Sequence, residues 1–142
     1  MEKQVLDKAF VPYLSKADIN TAIQKMADKI NADYEGRDPL FIAILNGSFM
    51  FASDLFKKIE IPAEISFIKL ASYKGTKSSG SVVTAIGLEA DVFERDVIIV
   101  EDIVDTGKTL SEFLPQLMHQ QPRSLKVCAL LHKKEATKFP IQ

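Results

Sequence analysis

Two short and wholly apolar runs constrain the fold of this chain more than any other feature. Leu40–Leu45 and residues 97–100 contain only aliphatic and aromatic side chains and one alanine. A strand without a polar face must be covered on both sides, which is typical of parallel sheets that lie between helices. Apolar residues at helical spacing precede the first run, at Ile19, Ala22, Ile23, Met26 and Ile30. The sequence therefore predicts an α/β fold, with a mainly parallel twisted sheet flanked by helices.

Cap and breaker residues give the limits of the first two helices. Ser15 or Asp18 can cap the first helix, and Gly36 can end it. A break at Gly47 and a run rich in Phe predict a second helix that ends before Pro62.

The second half of the chain predicts three more strands and one helix. Residues 65–70 and 82–86 alternate loosely between apolar and polar, and the polar stretch 72–80 between them reads as a mobile loop, so this hairpin should add an antiparallel edge. A third helix begins within residues 101–109 and runs toward His119, with a kink or a short break at Pro115. Residues 125–131 supply the last strand.

Length, charge and cysteine content exclude several classes of protein. The 142 residues predict a single domain over 1–142, and the net charge of −1 argues against a nucleic-acid partner. The longest apolar run has the length of a strand and not of a membrane span, so we expect no membrane association. The single cysteine, Cys128, cannot form an internal disulfide, which fits a soluble cytoplasmic protein.

An acidic cluster fused to a phosphate-binding turn is the most informative motif. The strand at 97–100 leads into three carboxylates, and a turn that opens a helix follows them: Glu101, Asp102, Asp105, then Thr106, Gly107, Lys108 and Thr109. Backbone N–H groups at a helix start, with nearby hydroxyls, form a phosphate cradle. Carboxylates repel a bare phosphate, so they need ribose hydroxyls, a Mg²⁺ ion or a developing cation beside it. A phosphorylated sugar would satisfy both halves. A P-loop is excluded because no glycine lies five residues before Gly107.

Residues 98–109 resemble the 5-phosphoribosyl pyrophosphate motif of type I phosphoribosyltransferases. Three further segments resemble that family in the same order, and more narrowly its hypoxanthine-guanine branch. Asn46-Gly47 is similar to its pyrophosphate loop, Ser72-Tyr73 to its flexible catalytic loop, and residues 130–133 to its purine-contacting strand end. The resemblance covers the chain from about Leu40 to Lys133.

The resemblance implies a reaction and a partner set. The family transfers phosphoribosyl from 5-phosphoribosyl pyrophosphate to a 6-oxopurine, hypoxanthine or guanine, and forms IMP or GMP and pyrophosphate with the help of Mg²⁺. This is purine salvage. We also expect a homodimer or homotetramer: Phe49, Met50, Phe51 and Phe56 read as core or subunit contacts, and an exposed Phe/Met face on the second helix would suit self-association.

Site roles carry over by position. Glu101 and Asp102 would hold the ribose hydroxyls, directly or through Mg²⁺, and Asp105 would act as acid or base near N7 of the purine. The segment from Asp105 to Thr109 would bind the 5′-phosphate.

The remaining roles concern the departing pyrophosphate, the incoming purine and the exclusion of water. Asn46 and Gly47 would meet pyrophosphate, with a cis peptide bond before Asn46. Lys133 would contact the exocyclic oxygen of the purine. Ser72 and Tyr73 would belong to a lid that excludes water from the cationic sugar carbon.

Two departures from the family pattern leave alternatives open. The pyrophosphate loop reads Asn46-Gly47-Ser48 where relatives commonly carry Lys-Gly-Gly. The family's hood strands, which would stack on the purine after the last strand, are absent from this chain, so we expect a C-terminally incomplete domain. The alternatives are a domain that senses 5-phosphoribosyl pyrophosphate or a nucleotide with little turnover, and a transferase for another base.

Purely structural interpretations compete with these roles. Asp105 could simply cap the third helix. Lys133 could belong, with Lys134 and Lys138, to a solvated basic surface.

Overall fold

The computed structural model describes residues 2–74, 81–136 and 138. These residues form three helices and seven strands. In chain order they are β1 Lys3–Val5, β2 Lys8–Phe10, α1 Lys16–Asp33, β3 Leu40–Leu45, α2 Phe49–Phe56, β4 Glu64–Lys74, β5 Ser81–Ile86, β6 Asp96–Val104, α3 Lys108–Met118 and β7 Ser124–His132.

Five of the strands form one sheet in the order β5-β4-β3-β6-β7. β3 lies at the centre and runs parallel to both β4 and β6, and β6 runs parallel to β7. β5 pairs antiparallel with β4 at the edge. The prediction of a mainly parallel sheet with an antiparallel hairpin at one edge is confirmed.

The core consists of two apolar layers, one on each face of the sheet. α3 covers one face, where Phe113 and Leu117 pack with Leu40, Ile42 and Ile99. α1 and α2 cover the other face, and that layer comprises, among others, Ile23, Ala27, Phe41, Phe51 and Ile98. Odd and even positions of β3 and β6 therefore both face protein, which is why these strands carry no polar alternation.

The helix limits follow from identifiable residues. Ser15 is the N-cap of α1, and its hydroxyl oxygen accepts a hydrogen bond from the Asp18 N–H at 3.0 Å. α1 ends at Asp33, shortly before Gly36, which has a φ of 77°. α2 ends at Phe56, ahead of Pro62 as predicted.

α3 corrects one expectation. The helix runs unbroken through Pro115, so the short break expected there is absent. Proline lacks only the N–H that would reach the Ser111 carbonyl, and the helix continues because His119 N–H still donates to the Pro115 carbonyl at 3.1 Å.

Two further features differ from the sequence prediction. β6 extends to Val104 and so includes Glu101 and Asp102, because β7 continues to pair with it as far as His132. β1 and β2 form a separate, exposed hairpin that was not predicted, since three-residue strands without a buried face give no alternation. In the described ranges, no helix is long and apolar enough to cross a membrane.

Candidate functional site

The site lies at the edge of the sheet where the parallel strands end. β3, β6 and β7 reach this edge at Leu45, Val104 and His132, and the loops that follow them are neighbours. Ligands bind at this edge in open α/β sheets. The structure therefore brings the acidic cluster, the phosphate turn and the pyrophosphate loop together.

Gly47 touches the acidic cluster directly. A Cβ atom built on Gly47 would lie 2.7 Å from Oδ2 of Asp102, closer than real Cβ contacts allow. Only glycine lets the loop after β3 pack this closely against a side chain of β6. Two motifs that are far apart in the sequence thus form one surface.

Glu101 and Asp102 are half-buried and hydrogen-bonded locally. The Asp102 N–H donates to Oε1 of Glu101 at 3.0 Å, and the Ile103 N–H donates to Oδ1 of Asp102 at 2.9 Å. Burial, and next its side-chain hydrogen bond with Asp102, raise the pKa of Glu101 to about 8. Without a bound metal ion, Glu101 is therefore mostly protonated at neutral pH and can donate a hydrogen bond, for example to a sugar hydroxyl.

The phosphate turn forms a small cavity of about 150 Å³, lined by Glu101, Ile103, Val104, Asp105, Thr106, Gly107, Lys108, Thr109 and Leu110. α3 begins at Lys108. Its first backbone hydrogen bond runs from the Ser111 N–H to the Gly107 carbonyl oxygen at 2.9 Å. The N–H groups of the first turn precede that bond and have no partner within the helix. Residues 106–109 thus lie at the start of the helix and not in its middle.

Gly107, and not Asp105, is the N-cap of α3. Its φ of 82° lies in the left-handed region that glycine adopts without cost. The N-cap position expected for Asp105 is therefore taken by Gly107, two residues later. Asp105 is exposed at the rim of the cavity, and Lys108 N–H bonds to Oγ1 of Thr106 at 3.3 Å.

The pyrophosphate loop has the backbone that the resemblance implied. The peptide bond between Leu45 and Asn46 is cis. Asn46 and Gly47 are exposed, whereas Ser48 is fully buried. The Ser48 hydroxyl donates to the Ile44 carbonyl oxygen at 2.5 Å. No sequence signal predicts this bond, because a serine after glycine looks like an ordinary turn residue.

Lys133 lies at the rim of the same edge. Its N–H donates to the Val104 carbonyl at 2.9 Å, which places it directly beside the end of β6, and its side chain is exposed. The chain then folds back over the phosphate turn, where the Lys138 N–H donates to the Thr106 carbonyl at 3.0 Å. This second contact was not predicted.

Ser72 and Tyr73 lie at the same edge through their backbone. They lie near the end of β4, which runs to Lys74, and pair with Val83 and Val82 of β5. The predicted lid continues into residues 75–80, which lie outside the described residues, as do the side chains of Ser72 and Tyr73.

The acidic pair is the metal-binding candidate. Within the ranges 2–74, 81–136 and 138, no group of three or more His, Cys, Asp or Glu could hold a metal by itself. One or two carboxylates combined with substrate phosphates are, however, the usual protein share of a Mg²⁺ site. Glu101 and Asp102 fit that limited role.

A larger groove of about 610 Å³ lies between α1 and β7, away from the strand ends that form the site. It contains Cys128, whose Sγ lies 3.8 Å from the Met26 sulfur. Burial raises the pKa of the Cys128 thiol to about 11, so the thiol stays protonated and is a poor nucleophile at neutral pH.

Comparison with known proteins shows which family this chain resembles. The phosphoribosyl transferase domain family matches residues 13–142. The hypoxanthine-guanine-xanthine phosphoribosyltransferase of Tritrichomonas foetus is 38% identical over 127 residues, which cover 87% of this chain and 69% of that protein. The hypoxanthine-guanine phosphoribosyltransferase of Mycobacterium bovis is 38% identical over 130 residues, which cover 87% of this chain and 64% of that protein.

A solved structure shows the same fold. The hypoxanthine-guanine phosphoribosyltransferase of Bacillus anthracis superposes with a TM-score of 0.81 at 32% identity, over 92% of this chain and 76% of that one. From the motifs, the fold and these matches together, the chain belongs to the phosphoribosyltransferase family, with hypoxanthine-guanine phosphoribosyltransferases as its relatives.

Proposed function

We propose that this protein transfers a phosphoribosyl group from 5-phosphoribosyl pyrophosphate to a 6-oxopurine and releases pyrophosphate. Hypoxanthine would give IMP and guanine would give GMP, which is purine salvage. The observation that carries the proposal is the contact of Gly47 with Asp102, directly beside the turn at residues 105–109. A substrate that carries a phosphate, a sugar and a pyrophosphate matches the turn at residues 105–109, the acidic pair and the Asn46–Gly47 loop in turn.

The phosphate turn would hold the 5′-phosphate. The N–H groups in the first turn of α3, which have no partner within the helix, would direct the positive end of the helix dipole at an anion, and Thr106 and Thr109 offer hydroxyls. Glu101 and Asp102 lie next to this turn, where they would hold the ribose hydroxyls. Protonated Glu101 can donate and Asp102 can accept.

The reaction breaks the bond between the sugar carbon C1′ and the pyrophosphate oxygen, and forms a bond from that carbon to N9 of the purine. Positive charge develops on the sugar, and the nearby carboxylates stabilise it. The purine loses a ring proton, which Asp105, exposed at the cavity rim, would accept near N7. The backbone of Asn46 and Gly47 would contact the departing pyrophosphate.

Mg²⁺ is the cofactor that the site would share with the substrate. When bound, it would neutralise part of the charge on the departing pyrophosphate. Glu101 and Asp102 are the residues that would hold it, together with oxygen atoms of 5-phosphoribosyl pyrophosphate.

Lys133 would select the base. Its position directly after β7, beside Val104, puts a cation at the rim of the site where the exocyclic oxygen of a 6-oxopurine would lie. An amino group at that position, as in adenine, would be repelled. The competing interpretation, a solvated basic surface, requires that replacing Lys133 leave base preference unchanged.

Self-association accompanies the proposal. Phe49 and Met50 of α2 are 57% and 65% exposed, although Phe51 on the same helix is buried in the core. Exposed large apolar side chains next to the pyrophosphate loop support a subunit contact there. We therefore keep the expectation of a homodimer or homotetramer.

A turnover assay with Asp105→Asn tests the proposal. The full chain is given hypoxanthine, guanine, xanthine or adenine with 5-phosphoribosyl pyrophosphate and Mg²⁺, and nucleotide formation is measured. We expect turnover with 6-oxopurines, and a kcat that falls by about 10²–10⁴-fold in the variant, which is the usual contribution of a general acid or base. Asp28→Asn, on the exposed face of α1, is the matched control and should keep the wild-type rate.

One result would contradict the proposed activity, and another would contradict the role of Asp105. Saturable binding of 5-phosphoribosyl pyrophosphate without product would favour the sensing alternative, which the names of the relatives do not favour. A rate that Asp105→Asn leaves unchanged would remove Asp105 from the chemistry.

A further inference from the structure

Ser48 is a buried polar residue beside the site without an assigned role in the reaction. Within the described ranges only two polar or charged residues are buried, Ser48 at 0% and Asp96 at 1% exposure. Asp96 begins β6 and so lies at the opposite end of the sheet. Ser48 immediately follows Gly47 and precedes α2.

The Ser48 bonds close the loop that contains Asn46 and Gly47. The Ser48 N–H and its hydroxyl both donate to the Ile44 carbonyl oxygen, at 3.3 Å and 2.5 Å. The hydroxyl makes the closer contact. The three residues between Ile44 and Ser48 are thereby held in a narrow turn.

The hydroxyl is not needed to start the helix. Ser48 is the N-cap of α2, but its side chain makes no capping bond. The helix begins instead with the Ala52 N–H, which donates to the Ser48 carbonyl at 2.7 Å. The side chain therefore points back into the loop and not forward into α2.

The loop geometry matters because Gly47 lies so close to the Asp102 carboxylate that no side chain fits between them. An added Cβ would lie 2.7 Å from Oδ2, 3.0 Å from Cγ and 3.1 Å from Oδ1 of that carboxylate. A turn that opens would withdraw Gly47 from Asp102 and shift the exposed N–H groups of Asn46 and Gly47. In the part of the chain that the structure describes, those two N–H groups have no acceptor.

We propose that Ser48 is a positioning residue whose hydroxyl, bonded to Ile44, holds the Asn46–Gly47 turn against Asp102 and so sets the affinity for pyrophosphate. This inference rests on the proposed function. It goes beyond it by assigning control of the pyrophosphate subsite to a residue that the substrate does not touch.

Ser48→Ala tests the inference because it removes only the hydroxyl. Calorimetry on the full chain would measure the affinities for pyrophosphate with Mg²⁺ and for GMP, which does not occupy the pyrophosphate loop. We expect pyrophosphate affinity to fall by about tenfold, the effect of one hydrogen bond. GMP affinity should stay within about twofold.

Two further variants separate positioning from folding. Thr21 donates the same kind of bond, from its hydroxyl to the Ala17 carbonyl four residues earlier at 2.9 Å, on exposed α1. Thr21→Val should change neither affinity. Ser48→Cys keeps a weak donor of similar size, so its pyrophosphate affinity should lie between those of the wild type and Ser48→Ala.

The outcomes distinguish this inference from the function itself. If wild-type protein binds pyrophosphate and Ser48→Ala binds it equally well, the positioning role is wrong and the proposed function stands. If Ser48→Ala weakens GMP and pyrophosphate alike, or Ser48→Cys ranks with Ser48→Ala, the side chain only supports folding. Wild-type protein that binds neither ligand contradicts the proposed function and this inference together.

Discussion

At the scale of single residues, Glu101 and Asp102 show how one strand can carry two different acids. They are neighbours in β6. Burial, and next a side-chain hydrogen bond with Asp102, raise the pKa of Glu101 to about 8. A carboxyl group that keeps its proton can donate a hydrogen bond to a hydroxyl, and a neighbouring carboxyl oxygen can accept one. The pair is therefore suited to a sugar with two adjacent hydroxyls.

The raised pKa of Glu101 predicts how stability depends on pH. The folded-state pKa, about 8, lies above the usual value of 4.5, so the folded protein retains a proton that the unfolded chain has lost. The stabilisation is complete below pH 4.5, declines as the pH rises, and is lost once the pH passes about 8. Urea unfolding of the ligand-free protein between pH 5 and pH 8.5 should show this decline, and Glu101→Gln should not.

Glu35→Gln is the control for that measurement, because Glu35 is exposed after α1. Its pH profile should run parallel to that of the wild type. A Glu101→Gln profile that also runs parallel would mean that Glu101 titrates normally.

Sequence alone could identify most of the site at this scale but not its contacts. Glu101, Asp102 and residues 105–109 were found because acid and turn signals are local. The contact of Gly47 with Asp102 and the inward bond of Ser48 were not, because each depends on how two strands or a strand and a loop meet in space.

At the scale of elements, the start of α3 depends on a backbone conformation that only Gly107 adopts easily. For a residue with a Cβ atom, the left-handed conformation costs about 1–2 kcal/mol. Gly107→Ala should lower the free energy of unfolding by about that amount and also weaken GMP binding, since the N–H groups of the turn would shift. Chemical denaturation and calorimetry measure the two effects.

Gly36→Ala is a closely matched control. Gly36 has a φ of 77°, against 82° for Gly107, and nothing lies within 4 Å of an added Cβ. It should lose similar stability and keep full GMP affinity. Equal loss of affinity in both variants would show that the turn acts only through overall stability.

The elements themselves were predicted to different extents. β3 has the predicted limits and α1 the predicted cap, because burial on both faces and a capping serine are local signals. β6 is longer than predicted because pairing with β7, and not apolarity, decides where it ends. Whether the predicted lid closes over the site stays a prediction, since residues 75–80 lie outside the described ranges.

At the scale of the whole molecule, the two ends of the sheet have different tasks. Chemistry-bearing residues gather at the carboxyl ends, while the amino ends of β6 and β7 hold an ion pair between a buried carboxylate and an exposed arginine side chain. Arg123 lies 3.0 Å from Oδ2 of Asp96, and the Ser124 hydroxyl donates to Oδ1 of Asp96 at 2.6 Å. Asp96 is almost fully buried, so it needs both partners.

Arg123→Ala should therefore lower the free energy of unfolding by about 1–3 kcal/mol, because it leaves a buried carboxylate short of one partner. Lys29→Ala breaks an exposed pair with Asp33 at 3.3 Å and should cost at most about 0.5 kcal/mol. Urea denaturation compares the two variants. Both should keep the wild-type kcat and KM, and a changed KM in Arg123→Ala would show that the two ends are coupled.

The adjacency of β3 and β6 has one more consequence. Gly47 and residues 101–109 come from distant parts of the chain, so the pocket exists only once the middle of the sheet has assembled. A ligand that contacts both strands binds only the folded protein and therefore stabilises it. At a free concentration of a hundred times its Kd, it raises the free energy of unfolding by about 2.7 kcal/mol. Supply of the sugar phosphate would thus also prolong the survival of the protein that consumes it.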